Sequence, residues 1–182
     1  MQETAEIMNY EALSKAVEAL RQAGSIHFFG VGASGIIAHD AQLKFVRVNK
    51  STSTSVDFHL SAIQVAQCGA GDVVCGISFS GETYEVRKLL ELAKEKGATT
   101  ISLTSYGLSP ISEIADINLY VSAKQEQVFR SAATSSRLAQ LHLIDILFMC
   151  VLTSQYENSI RRLDEVRMGV NFVKQHDGAK RQ

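Results

Sequence analysis

"DVVCGISFSGETYEVRKLLELAKEKG", Asp72 to Gly97, runs through three parts in succession. DVVCGIS (72–78) is an apolar, β-rich run that reads as a buried strand. From residue 82, ETYEVRKLLELAKEKG places apolar residues at helical spacing. Between them lies SFSGET, Ser78 to Thr83, with three hydroxyl side chains and a glycine at the joint. A strand that turns directly into a helix is half of a βαβ unit, the building block of parallel sheets.

The same alternation continues in both directions. SIHFF (25–29) precedes SGIIAHDAQLKFVRV, STSTS (51–55) precedes DFHLSAIQVAQ, TTISLT (99–104) precedes SPISEIA, and INLYV (117–121) precedes a long helix starting near Ala132. Five strands alternating with helices predict an α/β fold, a three-layer αβα sandwich around a five-stranded parallel sheet. Strands one, three and five read as continuously rather than alternately hydrophobic, which is expected of strands covered on both faces. Flanking this core are two amphipathic stretches, Tyr10, Leu13, Val17 and Leu20 before it, and Tyr156, Ile160, Leu163, Val166, Val170 and Val173 after it. The helix from Leu138 to Leu152 is apolar almost all round, which predicts burial on several sides and a subunit interface. KQHDGAKRQ at the end reads as a frayed tail. With 182 residues, a single proline (Pro110) and no internal repeat, the chain reads as one domain over residues 1–182, with a core at about 23–152.

Composition excludes several classes. A net charge of −1 gives no broad basic surface, so DNA contact is expected only through another segment. Cys68, Cys75 and Cys150 are far apart and unpaired in pattern, and read as structural thiols of a reducing cytoplasm. The run ILFMCVL (146–152) is far short of the roughly 18 residues of a membrane span. MQETAEIMNY lacks a signal peptide's basic start and apolar centre, so a soluble cytoplasmic protein is expected.

Ligands of open parallel sheets bind at the carboxyl ends of the strands, so the strand-to-helix turns carry the chemistry. The first, GVGASG (30–35), fits G-x-G-x-x-G and raises a dinucleotide alternative. That alternative wants an acid about 20 residues on, where Asp57 is the approximate candidate and reads better as a helix cap. In the third turn, Gly81 lets backbone N–H groups approach an anion, and Ser78, Ser80 and Thr83 add donors around a helix N-terminus. Such a cup suits a terminal phosphate monoester. SGET also resembles a capping box, which accounts for one hydroxyl and leaves two without a task.

GVGASG after the first strand and SFSGET after the third resemble the paired signatures of the SIS (sugar isomerase) domain, a phosphosugar-binding flavodoxin-like fold. The resemblance spans roughly Ala23 to Leu152. It implies that Ser78, Ser80 and Thr83 hold the phosphate and that Ser34 contacts the sugar, and Gly32 and Gly81 are expected in the same phosphosugar-binding site. FFGVGASGIIAHDAQLKFVRV and FRSAATSSRLAQLHLIDILF are most similar to the RpiR/MurR-type bacterial transcription regulators, in which an N-terminal helix-turn-helix domain precedes the SIS domain. The resemblance therefore implies an effector domain that senses a sugar phosphate, with DNA bound only through a helix-turn-helix domain absent from this chain. A homodimer or tetramer is expected, and no cofactor.

The alternative is an aldose–ketose isomerase, which needs a carboxylate to move a proton between sugar carbons. Glu126, in AKQEQVF, stands about where the family's enzymes carry theirs, and would otherwise bind a sugar hydroxyl. His59 could reach a sugar across a dimer. Arg130 reads as an exposed or ion-paired cation, and Asp145, between HLI and ILF, as a buried structural carboxylate with a partner. His39 and His142 have no ligand spacing, so no metal is expected.

Overall fold

The computed structural model describes residues 7–122 and 134–178. Its strands are β1 (Ser25–Gly30), β2 (Ser51–Ser53), β3 (Val73–Ile77), β4 (Thr99–Ser105) and β5 (Ile117–Val121). The helices are α1 (Tyr10–Gln22), α2 (Ala33–Val46), α3 (Phe58–Ala66), α4 (Tyr84–Glu95), α5 (Pro110–Ile114), α6 (Thr134–Ser154) and α7 (Tyr156–Gly178). All strand pairs are parallel, in the order β2-β1-β3-β4-β5. This is the expected three-layer αβα sandwich of flavodoxin-like type.

Two cores cover the two faces of the sheet. On one, Ile26, Phe28, Val73, Cys75, Ile77, Ile101 and Leu103 pack against α1, α2 and α6. On the other, Phe29 and Val74 pack against α3, α4 and α5. Central β3 is buried at every position, because helices lie on both sides of it. Gly76 provides the seat for α4, since a Cβ there would stand 2.8 Å from both Leu90 Cδ1 and Val86 Cγ1.

The expected continuous burial of strand five does not hold. β5 is an edge strand in which burial alternates. Asn118 accepts from the Ser102 hydroxyl and donates to the Ser112 carbonyl at 2.9 Å, while Tyr120 meets Tyr106 edge-on at 5.5 Å. The second strand is also shorter than its hydroxyl-rich run, ending at Ser53. At the other end of the chain α7 continues to Gly178, so Lys174 to Gly178 is helical rather than frayed.

Helix α6 corrects another expectation. Ser135–Ser154 is long and apolar enough, by length and composition, to cross a membrane. Here its Ala139, Leu143, Ile144, Leu147 and Val151 fill the core beside α1 and α2, while Leu138 and Met149 stay exposed on the other side. Asp145 is not buried. It lies on the exposed side of α6 and pairs with Lys44 of α2 at 3.1 Å.

At the amino-terminal ends of β1 and β3, polar groups link three strands and α3. Asp72 accepts from the Ser25 hydroxyl at 2.6 Å and from Gly69 N at 2.9 Å. His27 places Nε2 3.0 Å from Ser25 Oγ and Nδ1 2.7 Å from Ser53 Oγ. Burial lowers the His27 pKa, with the Asp72 carboxylate partly offsetting it. Folding therefore favours the neutral imidazole, so stability is complete above the ordinary histidine value of about 6.5 and falls as pH drops below it. The Asp72 pKa is lowered, its hydrogen bonds from Ser25 and Gly69 outweighing burial, and it acts only in the more acidic carboxylate range. Melting temperatures measured from pH 7.5 to 5 should fall for the native chain, and His27→Gln should remove most of that fall while lowering stability at every pH.

Candidate functional site

The strand order reverses between β1 and β3. From β1 the chain crosses to the edge strand β2, and from β3 it proceeds the other way to β4. The helices that follow accordingly diverge, α2 to one face and α4 to the other. Gly30 and Ile77, at the carboxyl ends of β1 and β3, are register partners, so GVGASG and SFSGET leave the sheet side by side. Such a switch point opens a crevice for a ligand.

The glycines of the first turn have steric tasks. A Cβ on Gly30 would stand 2.6 Å from the Ser34 carbonyl carbon, and one on Gly35 3.0 Å from the Gly30 oxygen, because the first turn of α2 rests on the strand end. Gly32, at the N-cap of α2, has φ +58°, a conformation side chains disfavour. Ser34 is buried and accepts at 3.4 Å from Gln140 Nε2 of α6. Asp57, the acid the dinucleotide alternative requires, accepts from Leu60 N at 2.9 Å and caps α3.

In the second turn, Ser78 N donates to Leu103 O at 3.0 Å and Ser105 N donates to Phe79 O at 2.8 Å, prolonging the β3–β4 ladder. The chain then turns at Gly81, with φ +70°, where a Cβ would overlap the Ser109 side chain. Ser78 Oγ lies 2.8 Å from Thr83 Oγ1 and 3.5 Å from Ser80 Oγ. Ser78, 2% exposed, forms the floor of the cup, with half-buried Thr83 and exposed Ser80 at its rim. A hydroxyl pair uses one proton for its mutual bond, which leaves the second proton for an anion.

The capping pattern singles out the same place. Side chains cap α1 (Asn9), α3 (Asp57) and α5 (Ser109). At α2 and α4, whose N-caps are Gly32 and Thr83, no side chain does so. The capping box suggested by SGET is thus not formed. Thr83 turns its hydroxyl to Ser78, and Ser80 accepts from Glu82 N at 3.3 Å. The positive ends of two helices are left open at one crevice. Neither turn contains a lysine or arginine, so hydroxyl and N–H donors supply the attraction for an anion.

The structure therefore brings Gly32, Ser34, Ser78, Ser80, Gly81 and Thr83 to one switch point. His59 is exposed on the first turn of α3. Glu126 and Arg130 lie outside the described residues. Sequence reasoning missed Gln140 and Ser136, buried polar residues one turn apart on α6. Their signal was a pair of polar side chains at i and i+4 in an apolar helix. Burial pushes the Cys68 thiol up to about 11 and the Cys75 thiol up to about 12, so neither is a nucleophile near neutral pH. Among the described residues no three His, Cys, Asp or Glu side chains gather to hold a metal ion.

A family model described as SIS domain matches residues 19–150. The chain belongs to the SIS domain family. It is 45% identical over 174 residues to YbbH of Bacillus subtilis, named as an uncharacterized HTH-type transcriptional regulator, covering 96% of this chain and 62% of that protein. To the HTH-type transcriptional regulator HexR of Escherichia coli it is 34% identical over 171 residues, 92% of this chain and 58% of that one. The chain thus spans about three fifths of the length of these SIS-domain relatives. Vibrio vulnificus NanR, solved in complex with ManNAc-6P, superposes with a TM-score of 0.87 at 29% identity, over 95% of this chain and 65% of that one. The sugar isomerase domain of the RpiR transcription factor from Sphaerobacter thermophilus superposes at 0.81, over 92% of each chain, and at 22% identity shows the shared SIS fold.

Substitution at Gly81 should test how closely the cup is built. Gly81→Ala combines a disfavoured φ with overlap against Ser109, and overpacking of this kind costs about 1–3 kcal/mol. Urea denaturation should show a loss in that range, whereas Gly69→Ala, where a Cβ meets nothing within 4 Å, should show far less.

Proposed function

We propose that this chain is the effector domain of an RpiR-type transcription regulator, and that it senses a sugar phosphate rather than converting it. The observation that carries the proposal is the hydroxyl cup of Ser78, Ser80 and Thr83, set over an uncapped helix at the switch point. A phosphate monoester presents several oxygens, and hydroxyl and N–H donors can satisfy them without a cation. Ser34 stands across the crevice on α2, suited to a sugar hydroxyl, and Gly32 opens the backbone there. Similarity to HexR and YbbH supports a regulatory role, and similarity to the NanR complex supports a phosphorylated sugar.

In this proposal DNA is contacted by a helix-turn-helix segment of a longer cytoplasmic protein. Ligand binding biases the relative pose of two protomers, which requires only different affinities for the two poses. Helix α7 supports an assembly, since it leaves Ile160, Val166, Val170 and Val173 exposed in the single chain. His59 and Glu126 are proposed as sugar contacts, His59 from across such an assembly. Val166→Glu with Val170→Glu should lower the sedimentation mass of the native oligomer, and an unchanged mass would remove α7 from the interface.

Titration calorimetry with a panel of sugar phosphates tests the cup. Charge-assisted hydrogen bonds contribute about 1.5–3 kcal/mol each, so Ser78→Ala and the isosteric Thr83→Val should each weaken binding about tenfold or more. Unchanged affinity in both would overturn the site. Incubation with the bound sugar phosphate should return it unaltered, and isomerised product lost in Glu126→Gln would instead favour an aldose–ketose isomerase.

A further inference from the structure

The turn that carries the cup is held from outside by the start of α5. Pro110, the first residue of that helix, has no N–H, so its free backbone donors begin at Ile111. Ser112 N donates to Ser109 Oγ at 3.2 Å and Glu113 N to Ser109 O at 3.0 Å, both within the helix start. Ile111 N instead donates to Gly81 O at 3.1 Å, a carbonyl of the cup turn. Ser109 meets the same residue directly, since a Cβ on Gly81 would overlap Ser109 Oγ and Cβ.

A fixed carbonyl fixes the whole peptide. The Gly81–Glu82 bond is trans and planar, so a Gly81 oxygen aimed at α5 sends the Glu82 N–H the opposite way. There it donates to Ser80 Oγ at 3.3 Å. Ser80 accepts from its own turn, and its single hydroxyl proton is left to donate elsewhere. A helix of five residues cannot hold such an arrangement by itself. Ser109 N donates back to Ser112 Oγ at 2.8 Å, which completes a capping box, and Asn118 of β5 donates to the Ser112 carbonyl at 2.9 Å. Asn118 in turn accepts from the hydroxyl of Ser102, fully buried on β4. The chain of contacts thus runs from the sheet through Asn118, Ser112, Ser109 and Gly81 to Ser80.

We propose that Ser109 is a positioning residue for the phosphate cup: by capping α5 it orients the Gly81–Glu82 peptide and, through that peptide, the Ser80 proton that an anion receives. The proposal rests on the phosphosugar reading of the cup and adds a residue that acts on it without touching the ligand. The Ser109 hydroxyl is itself engaged with Ser112, accepting from Ser112 N and lying 3.1 Å from Ser112 Oγ. Loss of the cap frees the Ile111 N–H to move away from Gly81. The peptide can then rotate, Glu82 N leaves Ser80 Oγ, and the Ser80 proton loses its fixed direction.

A double-mutant cycle read by titration calorimetry tests the relay, with the tightest binder among hexose 6-phosphates and N-acetylated amino-hexose 6-phosphates as the probe. Each variant is first checked for native circular dichroism and for a melting temperature well above that of the titration. Ser109→Ala should weaken binding about threefold or more in the native chain and by less than about twofold in Ser80→Ala, because residues of one network do not act additively. In Ser34→Ala, across the crevice, the full factor should remain. If Ser109→Ala does not fold, Ser112→Ala, which loses only the return bond from Ser109 N, takes its place in the cycle. Loosening of the fold alone would weaken binding by the same factor with and without Ser80, and that result would overturn the positioning role while leaving the cup standing. Unchanged affinity in Ser109→Ala or in Ser80→Ala would overturn it equally. Failure of every phosphorylated sugar to bind the native chain would overturn the cup and the relay together.

Discussion

The pairing of Gly30 with Ile77 is the constraint on which the rest of the molecule depends. These two residues end adjacent parallel strands from which the chain departs in opposite directions, so their turns cannot cover one another. A crevice is the geometric result, and it stands at the positive ends of two helices. At Gly30 and Gly35 the strand end and the first turn of α2 approach too closely to admit a Cβ.

Electrostatics at this crevice comes from neutral groups. Glu82 and Glu85 flank the cup, and the turn itself carries no basic residue. An anion bound as proposed would gain from N–H groups and hydroxyl protons that are fixed in place before it arrives. The Ser78–Thr83 bond holds that arrangement while keeping one proton available. Hydroxyls are also short and lose little rotamer freedom, so a ligand orders less here than it would on lysine or arginine.

A buried contact joins the crevice to α6, and a half-buried one at the opposite end of the sheet ties the β2 start to α1. Gln140 reaches from α6 to Ser34, and α6 packs along α1 in the same core. Lys50 donates to the carbonyls of Arg21 and Ala23 at 2.6 and 3.0 Å, satisfying the last turn of α1 and fixing where that helix meets the sheet. The first-face core is thus continuous from α2, which carries Ser34, to the amino-terminal helix. The second-face core carries α4, the helix that follows the hydroxyl-rich turn.

Local pattern alone was enough for the α/β class, for every strand of the sheet and for the two turns, because alternation of apolar runs and the chemistry of Gly, Ser and Thr act over a few residues. SFSGET could be read as a hydroxyl-rich turn between strand and helix, and Asp57 as a cap from its place before a helix. Asp145 could not be placed, because an apolar neighbourhood in sequence says nothing of which side of α6 meets α2, and that side is set by packing. Strand five misled for a related reason, since edge or centre is a property of strand order and not of the run itself. The contact of Gln140 with Ser34 and the open caps of α2 and α4 arise only when segments distant in the chain are folded together. Their existence was decided by the sheet topology, which no stretch of residues encodes by itself.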